Sequence, residues 1–163
     1  MKKRIWILML ALALFAAGCA KEGGNPAVEN SGAVQTIVPS YDMGEADAYM
    51  TSVKAQSEAL KKSLAEDALT QFDMNMKSKE LYDLWDGALN YLWGELKNCM
   101  PEDEFAKLTE EQLQWIADKE KSVEEVGREF EGGSIYALIV NDEAAAITEE
   151  RVYELYELLS RRG

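Results

Sequence analysis

From residue 45 onward the chain holds one proline, Pro101, and few β-branched runs, while Ala, Leu, Glu and Lys dominate. A stretch so dense in strong helix formers, with almost nothing to break them, predicts an all-α fold. At 163 residues in all, the chain has room for one domain of ordinary size. The expected architecture is an antiparallel bundle of three to four helices.

Apolar spacing places the helices. Ala46, Tyr49, Met50, Val53, Leu60, Leu64, Ala68, Leu69 and Phe72 recur at intervals of three and four. They predict a first helix over 45–72, or one that breaks between Ala65 and Thr70. A second covers about 74–99, either separate from the first or continuing it. Pro101 ends it, because the residue before a proline is pushed out of the helical region. The same proline suits a new start, with Glu102, Asp103 and Glu104 near the positive end of the helix dipole. The tetrapeptide TEEQ at 109–112 fits a capping box and predicts a further start at Thr109. That helix should end at Gly132 and Gly133, since glycine accepts the left-handed conformation of a C-cap. Ser134 then caps the last helix, and Thr148 caps or bends it further along.

Within the second helix, 100° steps put Tyr82, Trp85, Leu89, Trp93 and Leu96 within about 80° of one another, with Asp86 and Asn90 beside them. The stripe of the third helix is Leu108, Gln112, Trp115, Lys119, Val123, Val126 and Phe130, so it contains a glutamine and a lysine. An unmatched buried polar group costs roughly 1 to 3 kcal/mol, and a charge costs more. The groups at hand to match them are Asp86 and Asn90, and the expectation is a register lock joining these to Gln112 and Lys119.

The first 18 residues have the anatomy of an export signal. Lys2, Lys3 and Arg4 precede an apolar run over 5–17, and small residues lead directly into Cys19. The run is shorter than the ~20 residues of a transmembrane helix. Small residues ahead of a cysteine resemble a bacterial lipobox, with Ala16 where leucine is usual. That implies acylation of Cys19 and a protein tethered to the extracytoplasmic face of a membrane; an ordinary secretory signal is the alternative. Residues 19–43, rich in Gly, Pro, Asn and Ser, read as a flexible tether, and 44–163 as the helical domain. Counted from Cys19 there are 14 Lys and Arg against 30 Asp and Glu. Such a surface repels nucleic acid and steers basic proteins toward it.

The segments LTQFDMN at 69–75, WDGALNYLW at 85–93, EEQLQWIADKEK at 110–121, FEGGSIYALIV at 130–140 and TEERVYEL at 148–155 resemble, in order and interval, the lysozyme inhibitor LprI-like N-terminal domain family. The family's motif positions fall here on Thr70, Gln71, Met74, Asn75, Asp86, Leu89, Asn90, Gln112, Trp115, Gly132, Gly133, Ser134, Thr148 and Arg151. Lys119 and Glu120 stand where many members have Arg-Asp, which keeps the signs but loses the guanidinium fork. Lys77, Val123 and Glu143 stand where many have cysteines, so the resemblance implies that the family's disulfide is missing. It also implies a binding protein whose partner is a basic protein such as lysozyme.

The chemistry left in the sequence does not favour an enzyme. There is no histidine, so no Ser-His-Asp or Cys-His arrangement is possible and the commonest metal ligand is missing. With Cys19 lipidated, Cys99 is the sole thiol, read as a small apolar residue at a helix end. Acidic runs such as VEEVGREFE read as solvated faces. Trp85, Trp93 and Trp115 read as core, and Gly87 and Gly94 as tolerated residues on an outer face. No cofactor, metal or small-molecule substrate is expected. A lipid-anchored binding protein acting on lysozyme is favoured, with an envelope structural or adaptor module as the alternative.

Overall fold

The computed structural model describes residues 41–163; the signal, Cys19 and the tether up to residue 40 lie outside the described residues. Four helices follow one another: α1 Gly44–Glu66, α2 Gln71–Cys99, α3 Glu102–Gly127 and α4 Tyr136–Ser160, with a 3-10 turn at Arg128–Phe130 before α4. Among the described residues there is no strand.

The boundaries follow from local chemistry, and several differ from those expected. α1 and α2 are separate. Asp67 N–H closes α1 on the Ser63 carbonyl at 3.1 Å. Thr70, with extended backbone, then opens α2 through a reciprocal capping box with Asp73. Met100 is extended ahead of Pro101, which is the N-cap of α3. The start predicted at Thr109 does not occur: α3 is continuous, and the Thr109 hydroxyl donates back to the Phe105 carbonyl at 2.8 Å. The apolar register through Phe105, Leu108 and Gln112 runs on without a break, so a second cap has nothing to satisfy.

α3 ends at Gly127 and not at the later glycine pair. A Cβ on Gly127 would lie 2.6 Å from Val140 Cγ1, so the glycine allows the end of α3 to close on α4. Gly132 supplies the corner instead, at φ 78, and Gly133 N–H returns to the Phe130 carbonyl at 3.0 Å. The Ser134 side chain caps nothing, the N-cap of α4 being Ile135 without a side-chain bond. Thr148 neither caps nor breaks α4: it is buried mid-helix, its hydroxyl on the Ala144 carbonyl at 2.6 Å.

α2 and α4 form the central pair, with α1 against α2 and α3 against α4. Trp85, Leu92, Leu96, Val152, Leu155 and Leu159, joined by Met50 and Val53 from α1, have almost no exposed surface. Each large apolar side chain so buried contributes about 1.5–3 kcal/mol. Trp85 spends its one donor on Ser57 Oγ at 3.2 Å, as a buried indole requires. Tyr41 N–H reaches the Arg162 carbonyl at 2.9 Å. The entry to α1, the α2–α3 turn and the end of α4 therefore share one pole; the α1–α2 turn and the α3–α4 corner share the other.

Candidate functional site: the cleft between helices α2 and α3

Two contacts set the antiparallel register of α2 and α3. The Trp93 and Phe105 rings lie 5.0 Å apart, and Lys119 Nζ is 3.3 Å from the Tyr82 hydroxyl. Between Tyr82 and Tyr136 lies a cleft of about 370 Å³. Val140, Asn141 and Ala144 of α4 form its floor, Tyr82 one wall, Lys119, Glu120, Val123 and Glu124 the other, and Tyr136 its upper end.

Residues singled out from the sequence bound this cleft. Lys119 Nζ lies 5.2 Å from the Tyr82 ring centre and 5.0 Å from that of Trp115, so two aromatic faces compensate its charge, each by about 0.5–2 kcal/mol. At the upper end Asn75 Nδ2 donates to the Ser134 carbonyl at 2.8 Å, and Gln71 Nε2 to Asn75 Oδ1 at 2.9 Å. Asn141 Nδ2 donates to Ser78 Oγ at 3.2 Å and to the Asn75 carbonyl at 3.4 Å. Thr70, Gln71, Asn75 and Ser134 thus converge where the start of α2 meets the corner shaped by Gly132 and Gly133. Asp73 completes the group. Its bonds with the Thr70 side chain and backbone hold its carboxyl below the usual range.

The lock expected between Asp86 or Asn90 and Gln112 or Lys119 is not made. Gln112, buried on α3, accepts from Arg151 Nε of α4 at 2.9 Å, and Arg151 also meets Glu154 at 2.7 Å. Asn90 instead donates to Asp86, to its carbonyl at 2.8 Å and its carboxylate at 3.2 Å. Lys119 meets Tyr82, one turn of α2 before Asp86, and Gln112 turns to α4. Asp86 and Asn90 stand about 40° and 80° further round α2 than Tyr82, turned outward, and α4 fills the space across from Gln112.

These outward residues form the outer lips of the α2–α3 seam, of which the cleft is the upper part. On α2, Phe72, Met76, Asp83, Asp86 and Asn90 lie along one outward stripe; Phe72 is 71% and Met76 53% exposed. On α3, Leu113 and Ile116 share the flank that carries Glu120 and Glu124 into the cleft, and Leu113 is 64% exposed. Sequence reasoning missed Asn141, although a polar residue inside the apolar run IYALIVN was the signal to find it. It also left Val126 on the inner stripe, whereas that side chain is exposed.

A larger groove of about 510 Å³ separates α1 from α2 and α4, and takes only Met74 from the motif positions. Lys61 of α1 pairs with Glu149 of α4 at its rim. Cys99 sits at the opposite pole from the cleft's upper end, its thiol pushed up by burial. Among the described residues no group of three or more Cys, Asp or Glu side chains is placed to hold a metal, and no helix is long and apolar enough to cross a membrane.

Fold and cleft together define an acidic four-helix module whose buried polar groups brace one helix against the next. The chain belongs to the LprI family: the model described as lysozyme inhibitor LprI matches residues 62–155, from the end of α1 into α4. No curated protein and no solved structure matches the chain.

Proposed function

We propose that this protein is a lipid-anchored inhibitor of lysozyme, held outside the cell and acting by binding a basic enzyme. Membership of the LprI family across 62–155 carries this reading. The charge supports it, with 30 Asp and Glu against 17 Lys and Arg in the whole chain, because a strongly acidic surface speeds encounter with a cationic enzyme. In this scheme residues 1–18 are a signal removed on export. Acylated Cys19 holds the protein to the membrane, 19–43 form a tether, and 44–163 form the binding body. Two acyl chains anchor stably where one is marginal, at about 0.8 kcal/mol per buried CH₂.

The test is a cell-wall lysis assay with a cationic lysozyme and the purified protein at low and at physiological salt. Inhibition that weakens as salt rises is expected. No inhibition at either salt would remove the inhibitor role and leave an envelope adaptor as the better account. Mass spectrometry of the protein from cells checks the anchor: a mature N-terminus elsewhere than at Cys19, or an unmodified cysteine, would refute it.

A further inference from the structure

Resting on the inhibitor role above, we propose that the α2–α3 cleft and its lips are the surface that docks the cationic enzyme. Of the seven large apolar side chains left exposed among the described residues, four lie on these two helices: Leu113 and Ile116 on the flank of α3 beside the seam, and Phe72 and Met76 on the outward face of α2. They stand on ridges and not inside the cavity, so what they can meet is another protein's surface. Between them lie Glu120 and Glu124, which no basic side chain pairs among the described residues. The cleft's lysine is already seated over two rings.

This is the make-up of a protein interface: apolar anchors beside a surplus of negative charge, since Lys79 pairs only Asp83 while Asp86, Glu120 and Glu124 have no basic partner among the described residues, which suits a cationic partner. The size fits too. At 1.5 Å per residue the α2 lip runs about 27 Å from Phe72 to Asn90, close to the width of a patch of about 800 Å² on each partner. The other face of the molecule offers charge without this pattern; Glu45 and Glu58 on α1 are exposed and unpaired among the described residues, with no exposed large apolar neighbour on that helix.

The experiment measures binding and inhibition of a cationic lysozyme by wild type and three double variants. Glu120→Gln/Glu124→Gln removes the cleft's charge, Leu113→Ser/Ile116→Ser its apolar lip, and Glu45→Gln/Glu58→Gln removes equal charge from α1. All six side chains are at the surface, and thermal unfolding confirms each fold. Both cleft variants are expected to weaken binding about tenfold or more, and the α1 variant less than about twofold. Wild-type binding with the cleft variants within about twofold of it, or with the α1 variant weakened as much as they are, would overturn the docking surface and leave the inhibitor role standing. A wild type that neither binds nor inhibits would end both.

Discussion

The replacement Gln112→Leu tests how α3 is held to α4. Gln112 is 6% exposed and supplies the acceptor for Arg151 Nε. The Arg151 side chain is only 12% exposed, and one of its terminal nitrogens is already buried without a partner. Removing the acceptor therefore strands a second guanidinium nitrogen away from water. A hydrogen bond to a charged group is worth about 1.5–3 kcal/mol, and leucine returns part of that by filling the same space. A net loss of about 2 kcal/mol follows, or a fall in Tm of about 8 °C for a domain of this size. The salt bridge to Glu154 offers little compensation, since that carboxylate is 62% exposed. Replacing both residues, Gln112→Leu with Arg151→Met, removes the stranded charge as well and should recover at least half the loss. Thermal and urea unfolding of the four proteins closes the double-mutant cycle. A single-variant loss under about 0.5 kcal/mol, or strict additivity, would refute the account of how these helices are fastened.

Gly127→Ala should destabilise by about 1–2 kcal/mol, because its Cβ meets the short, stiff Val140 side chain at 2.6 Å. Gly87→Ala, with nothing within 4 Å, should instead raise stability by up to about 1 kcal/mol; equal shifts in Tm would contradict both. Asp73 has a lowered pKa from its bonds to Thr70, so its contribution is present above the unfolded carboxyl pKa and is lost as pH falls through the folded one. NMR titration should show the Asp73 midpoint rise in Thr70→Val. Tyr41 has the opposite sense: burial first, and then the bond to Glu95, raise its phenol. Its contribution is complete below the unfolded phenol pKa and is lost as pH climbs toward the folded one, so Tyr41→Phe should flatten the alkaline limb of a stability curve.

The helices themselves were legible because an apolar stripe at three-and-four spacing has few other ways to be buried. Even the break before Thr70 was among the alternatives. The caps were less so. TEEQ has the letters of a capping box, but a cap works only where the apolar register stops, and Phe105, Leu108 and Gln112 carry it straight through. Thr70 and Asp73 make the actual box with aspartate in place of glutamate. Partner choice was hidden for another reason. That Gln112 and Lys119 need partners follows from their place on an inner stripe; that Gln112 takes Arg151 depends on α4 lying across from α3, and that Lys119 takes Tyr82 depends on the register of α3 against α2, neither of which a local pattern encodes. The apolar lips escaped notice because exposure is a property of the assembled bundle. Phe72 closes a stripe in the sequence and points to solvent in the fold.

Because Tyr41 hydrogen-bonds beside the final turn of α4, the two ends of the described chain meet at one pole. A short peptide joining Gly163 to Tyr41, with a new opening in the exposed stretch around Ala68, would let α2 be made first and α1 last. If such a permuted chain reaches the same fold, the order of synthesis is immaterial to this bundle, and either end can serve as a handle that leaves the opposite pole untouched.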